Sequence, residues 1–160
     1  MARVQHLAVR VSDIERSTKF YVETFGGKEV LHPYHTGVEM TEIIMGVKDT
    51  DYRIGFVELP DGFGLELFQF IPDRNPVIGV PQPQASFMHF AIAVDDVAAT
   101  LARGVALGGE SFGDPNGWAP SDPGKYAYLK DPDGNILELN DTTWERILTS
   151  ATELYPEAKL

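Results

Sequence analysis

The chain contains no cysteine. This excludes a disulfide scaffold, a thiolate nucleophile, an iron–sulfur cluster and a cysteine zinc site. Long apolar runs are also missing. None approaches the roughly 20 residues that a membrane-spanning helix needs. The first residues lead directly into a strand-like pattern with no apolar signal core, so a cytoplasmic protein without a membrane partner is expected. Positive charge is scarce: 13 Lys and Arg stand against 24 Asp and Glu, a net charge of −11. Such a chain repels phosphate backbones, and no basic run offsets this locally, which argues against a nucleic-acid partner. What remains is 160 residues, 43% of them hydrophobic. A chain of that size can fold as one domain or two fused modules without disulfide or zinc staples.

The chain repeats itself. Residues 6–27, HLAVRVSDIERSTKFYVETFGG, align with residues 89–110, HFAIAVDDVAATLARGVALGGE, with six identities when His6 is set on His89. The later part of each repeat matches more closely. Residues 60–67, PDGFGLEL, and 132–139, PDGNILEL, agree at six of eight positions. Each repeat opens on a histidine and closes on a glutamate. The first is 11 residues longer between those points, 60 against 49. The excess reads as a longer strand pair and loop within 30–58.

Local patterns predict the same architecture twice. Alternation predicts a strand over Val4–Val11 and another over Phe87–Val94. Ser12 and Asp13 can cap a helix, with Glu15 completing a capping box on Ser12. Ile14, Thr18, Tyr21, Val22 and Phe25 would form its apolar face, and Gly26-Gly27 its end. In the second repeat, Asp95 or Asp96 would cap a helix with a Val97, Leu101 and Val105 stripe, ended by Gly108-Gly109. Strands are predicted near 28–32, 38–46, 52–59 and 64–70, and then near 110–112, 125–130 and 135–140. The expected fold is therefore α+β, with a first βαβββ module over 1–71 and a second over 86–141. Between them, 72–85 carries Pro72, Pro76, Pro81 and Pro83 and reads as a linker. Residues 142–160 hold a C-terminal helix, with Trp144, Ile147, Leu148, Ala151 and Leu154 on one side. The Gly- and Pro-rich stretch 111–125, with Trp118 as its large anchor, reads as a loop over a site.

The alternation also decides which way polar residues point. Leu65 and Leu67 flank Glu66, and Leu137 and Leu139 flank Glu138. If the leucines face the helices, both glutamates face away. His6 and His89 share that opposite side, next to the small residues Ala8, Ala91 and Ala93. Two imidazoles and two carboxylates suit one divalent ion, because the carboxylates cancel its charge. Ligation by N and O without sulfur fits Ni, Co, Zn, Mn or Fe. A single histidine or glutamate on a strand would be unremarkable. The same two residue types at matched positions in two repeats point to a shared site.

These residues and motifs resemble the vicinal oxygen chelate superfamily, which contains glyoxalase I, methylmalonyl-CoA epimerase, extradiol dioxygenases, fosfomycin-resistance enzymes and bleomycin-binding proteins. The carriers are His6-Leu7-Ala8-Val9 with Asp13, Gly64-Leu65-Glu66-Leu67, Met88-His89-Phe90-Ala91-Ile92 with Asp95-Asp96-Val97, and the run from Lys130 to Leu139. Together they span about residues 4–141. The resemblance implies two paired βαβββ modules of glyoxalase-like fold, a curved sheet cleft around one metal, and a homodimer. The C-terminal helix offers apolar surface for such a dimer. The order His, Glu, His, Glu is that of glyoxalase I, which implies His6, Glu66, His89 and Glu138 as ligands. It also implies a lyase or isomerase that shuttles a proton beside a metal-chelated carbonyl or hydroxyl of a small substrate. By this resemblance Glu138 is the candidate base, with Glu66 the alternative, and Arg10 matches an arginine that contacts the glutathione carboxylate. Phe70 stands where glyoxalase I carries an asparagine that helps hold glutathione. Phe68, Phe70 and Trp118 therefore suggest an apolar or aromatic substrate instead. Two other readings are an Fe(II) extradiol-type dioxygenase and an acidic, drug-binding protein of bleomycin-resistance type.

Overall fold

The computed structural model describes residues 4–46, 48–71, 89–118 and 122–156. The chain divides into two units, residues 1–85 with 132–135, and residues 86–131 with 136–160. Both are α+β and built on a βαβββ-like plan.

In the first unit, β1 (His6–Arg10) leads into α1 (Ile14–Phe25). Val9 and Val11 are buried while His6 and Ala8 are exposed, the period-2 burial that the alternation predicts. Asp13 has extended dihedrals and accepts a hydrogen bond from the Arg16 N–H, so it is the N-cap of α1. The expected capping box on Ser12 is not formed. Ser12 is drawn to Asp133, and Glu15 pairs with Arg53. The helix buries Ile14, Ser17, Thr18, Phe20, Tyr21 and Thr24 and ends on Gly26 at φ 71°. Val22 and Phe25 are only half-buried, because Phe20 and Tyr21 take the centre of that face.

Four strands complete the first sheet in the order β1-β4-β3-β2: β2 (Lys28–His35), β3 (Asp51–Glu58) and β4 (Gly64–Ile71) with β1. β1 runs parallel to β4 and the other pairs are antiparallel. The strand expected at 38–46 is instead a helix, α2 (Val38–Met45). The physical reason is local. Gly37 and Gly46 punctuate both ends at positive φ, Thr41 Oγ1 donates to the Gly37 carbonyl at 3.0 Å, and the Gly46 N–H closes the last turn on Glu42. This helix occupies most of the 11-residue excess of the first repeat.

The second unit holds β5 (Phe90–Ala93), α3 (Val97–Ala106), β6 (Glu110–Ser111), β7 (Asn116–Gly117), β8 (Lys125–Lys130), β9 (Ile136–Asn140) and α4 (Trp144–Leu154). Its sheet runs β5-β9-β8-β6, with β7 also on β8, and β5 is parallel to β9. Asp96, not Asp95, caps α3 and accepts from the Ala99 N–H. The helix stays close to its sheet because Gly104 has no side chain. A Cβ there would lie 2.4 Å from Leu129 Cδ2. Val97, Thr100 and Leu101 are buried, whereas Val105, expected in the stripe, is exposed. The reason is that the close approach falls on the preceding residue, Gly104, which lies about 100° round the helix from Val105. In α4 the expected apolar side leaves Trp144, Leu148 and Leu154 exposed, and Ser150 is the buried residue. Ser150 Oγ donates to Asp122, which also accepts from the Gly124 N–H.

The expected proline linker, 72–85, lies outside the described residues, as do Phe87 and Met88. No helix among the described residues is long and apolar enough to cross a membrane.

Candidate functional site

Each unit carries one histidine–glutamate pair on the sheet face that turns away from its helix. In the first unit β1 and β4 place Ala8 beside Glu66 and His6 beside Gly64. Gly64 opens the space that His6 uses, since a Cβ at that glycine would come within 3.1 Å of His6 Cβ. His6 Nε2 lies 3.6 Å from Glu66 Oε2, with Glu66 partly exposed. The floor around this pair is aromatic. Phe68, opposite Ile54, is buried with it and with Tyr52, whose ring centroid is 5.0 Å away. Phe70 lies beside Tyr52 with the two rings tilted and their centroids 5.8 Å apart, and the Arg10 guanidinium sits 4.6 Å over the Phe70 ring. Of the expected substrate contacts, Phe68 therefore belongs to the packed floor, while Arg10 and Phe70 form a half-buried cation–aromatic pair.

In the second unit Glu138 lies beside Ala91 on β9, and His89 immediately precedes β5. His89 Nε2 is 3.1 Å from Glu138 Oε2. Three features that the sequence reading passed over surround this carboxylate. Tyr128, directly opposite on β8, donates its hydroxyl to Oε2 at 3.0 Å. Asn140 Nδ2 donates to Oε1 at 3.3 Å. The His89 ring meets the Tyr128 ring edge-on at 5.3 Å. Burial, then the hydrogen bond to Glu138 and the charges of Glu138 and Tyr126, push the Tyr128 phenol up to about 12. It therefore stays protonated, and a donor, across ordinary pH. The signal for Tyr128 was available in the sequence: Ala127 and Leu129 are buried toward the helix, so alternation turns Tyr126 and Tyr128 to the glutamate's face. Trp118 packs on Tyr126 at 4.6 Å, and Phe112 meets Tyr128 edge-on at 6.2 Å. These rings form an aromatic wall on the Glu138 side.

Among the described residues, no three His, Asp or Glu side chains gather into one group able to hold a metal ion. Each unit instead presents two donors, an imidazole nitrogen facing a carboxylate oxygen. That donor chemistry fits half the protein ligands of a borderline or hard divalent ion.

The wider comparisons agree with the fold. Residues 3–139 match the Glyoxalase/Bleomycin resistance protein/Dioxygenase superfamily, and the chain belongs to it. It is therefore a member of an enzyme superfamily that works on small molecules and often uses divalent metals. A chloroplastic protein of Arabidopsis thaliana named "Probable lactoylglutathione lyase" is 33% identical over 139 residues, covering 86% of this chain and 35% of that protein. A Vibrio parahaemolyticus protein of similar name is 28% identical over 137 residues, covering 86% of this chain and 88% of the relative. The chain spans less than half the length of the first curated relatives it matches. A solved structure, the glyoxalase family protein of Bacillus cereus, superposes with a TM-score of 0.74 at 16% identity, covering 88% of this chain and 93% of the other. At that identity the likeness is one of fold.

Proposed function

We propose that this chain is a divalent-metal-dependent lyase or isomerase of glyoxalase-I type. The observation that carries the reading is the pair of matched His–Glu contacts, 3.6 Å for His6–Glu66 and 3.1 Å for His89–Glu138, at the same two positions of both repeats. The names of the curated relatives support it. His6, Glu66, His89 and Glu138 are the four ligands in this reading, and the working form is a homodimer. A bound divalent ion would supply positive charge that polarises a carbonyl and acidifies the neighbouring C–H.

The chain's own residues do the rest. One glutamate carboxylate accepts the proton from the carbon beside the carbonyl and returns it to the adjacent carbon, so the reaction is a net isomerisation with no hydrogen lost. Arg10 holds an anionic end of the substrate. Phe70, Trp118 and Tyr126 cover an apolar or aromatic part. Their character favours a substrate less polar than a glutathione adduct.

The first test is metal content by mass spectrometry on tag-free protein, beside a His6→Ala/His89→Ala variant. A divalent ion in the wild type that is absent from the variant is expected. Wild type that stays metal-free after exposure to excess Ni²⁺, Co²⁺, Zn²⁺, Mn²⁺ and Fe²⁺ overturns the reading. In that case the aromatic wall and the net charge of −11 favour a metal-independent binder of cationic aromatic molecules. Fe²⁺-dependent oxygen uptake with a catechol would instead mark an extradiol-type dioxygenase.

A further inference from the structure

The two units fill matched sheet faces differently. Counted from the shared Pro-Asp-Gly turns, Tyr126, Tyr128 and Lys130 on β8 stand where Ile54, Phe56 and Glu58 stand on β3. In the first unit this face closes on itself, with Tyr52, Ile54 and Phe68 buried in one cluster. In the second unit it stays open. Phe112 is 55% exposed, Tyr126 and Tyr128 are half-buried, and β5 adds only the exposed Ala91 and Ala93 to that side. Trp118, Tyr126, Tyr128 and Phe112 form a continuous run of rings, with successive centroids 4.6, 6.0 and 6.2 Å apart. An open run of rings beside small side chains suits a flat aromatic ligand.

The charge at the end of this run is reversed between the units. Both have an ion pair across the same two strands: Glu58 with Lys28 at 2.8 Å, and Lys130 with Glu110 at 2.9 Å. On the strand next to the site glutamate, the first unit therefore places an anion and the second a cation. Lys130 Nζ lies 4.9 Å over the Phe112 ring. An ammonium has three donors, and among the described residues Glu110 takes one of them. The Phe112 face attracts the positive charge without using a donor. The Glu110 side chain is 70% exposed, and an ion pair to so exposed a carboxylate is weak and easily shared.

We infer that Lys130 and Phe112 form an anion subsite at the end of the aromatic run, and that the substrate is a planar aromatic compound carrying a carboxylate. This rests on the reading proposed above for the reaction and names the class of molecule it acts on. Lys130 is then a specificity residue of the second unit, separate from Arg10 of the first.

The test titrates the full chain by calorimetry with two probes of one shape, naphthoate and the neutral naphthylmethanol. Each titration is run on chelator-treated chain and again after exposure to Zn²⁺. Wild type is expected to bind naphthoate roughly 3- to 10-fold more tightly than naphthylmethanol, as a partly exposed, charge-assisted contact gives. Lys130→Met is expected to abolish that preference and to bind naphthylmethanol as before, and Lys130→Arg to keep it. Glu110→Gln, which frees Lys130 of its competitor, is expected to widen the preference by about 2-fold or more. Lys28→Met, which removes the matched ammonium of the first unit, is expected to leave it unchanged. Trp118→Ala is expected to weaken both probes alike, by about 3- to 10-fold. Wild type without the preference overturns the inference. So does a preference that survives Lys130→Met, whether it is lost in Arg10→Met or appears only with Zn²⁺. Wild type that takes up no Zn²⁺ and keeps a Lys130-dependent preference removes the reaction proposed above and supports the subsite. Wild type that takes up Zn²⁺ and shows no preference removes the subsite alone. Should Lys130→Met unfold, a preference unchanged in Glu110→Gln overturns the inference in its place.

Discussion

The two repeats of this chain share a backbone plan and differ in what fills it. Position by position, α1 carries Tyr21 where α3 carries Gly104. Tyr21 is fully buried, whereas at Gly104 the space is taken from the other side by Leu129, itself fully buried. One repeat fills its helix–sheet interface from the helix and the other from the sheet. The Pro-Asp-Gly turns diverge in the same way. Asp61 is exposed and caps its own turn, accepting from the Phe63 N–H at 3.0 Å. Asp133 accepts from the Ser12 N–H at 2.9 Å, Ser12 Oγ at 2.5 Å, Ser17 Oγ at 2.7 Å and Arg16 Nη2 at 2.7 Å. Its neighbour Asn135 donates to the Arg10 carbonyl at 3.1 Å. Residues 132–135 belong to the first unit for this reason. The lesson is that duplicated sequence preserves elements and strand directions. The side chains that meet at a given position are free to change hands.

The sharpest way to break the comparison is at the helix–sheet interface. Tyr21→Ala should open a cavity and cost about 3–5 kcal/mol, while Gly104→Ala should overpack against Leu129 and cost about 1–3 kcal/mol. Urea unfolding of both variants measures this. A stabilised Gly104→Ala, as helix propensity alone would give, would contradict the close approach. The turns come next. Asp133→Ala strips an acceptor from buried Ser17 and from Arg16, and should cost about 2–3 kcal/mol, against about 0.5 kcal/mol for Asp61→Ala. Equal losses in thermal melts would show that the two turns are equivalent after all.

Acid adds a third contrast. Burial pushes the Asp133 carboxyl up, but hydrogen bonds from Ser12, Ser17 and Arg16 prevail and hold it below the usual aspartate range. The unfolded chain therefore binds a proton there more readily than the folded one. The stability this gives is complete above about pH 4 and drains away as pH falls through the folded value. Asp133→Asn should flatten the acid limb of a stability–pH curve. The smallest effect should be where the repeats agree. Asp13→Ala and Asp96→Ala each remove one N-cap and should cost about 1 kcal/mol apiece. A large difference between them would mean that one cap does more than close its helix.

Much of this was readable in advance because it is encoded within short windows. The alternation of apolar and polar residues set His6 and Glu66 on one face of their sheet, and put His89 and Glu138 together in the same way. A cap at Ser12 or Asp13, a cap at Asp95 or Asp96 and the glycine stop at Gly26 are signalled within four residues of the helix ends, and the folded chain chooses Asp13 and Asp96. The same short-window reasoning failed at 38–45, where an apolar, glutamate-containing segment was read as a strand. Nothing in that segment's apolar run distinguishes strand from helix. The glycines that bracket it and the Thr41 bond to Gly37 do.

The sequence by itself thus determined the repeat, the βαβββ plan, the capped helices and, in each unit, a polar face with two candidate ligands. Each of these follows from spacing along the chain. Tertiary structure alone decided that Glu138 is held by Tyr128 and Asn140, that Glu66 lies among phenylalanines, that Phe68 is floor, and that Asp133 serves Ser12, Arg16 and Ser17. These depend on strand register and on contacts between residues as many as 121 positions apart. Periodicity can say which way a side chain points. Only the folded chain brings its partner to meet it.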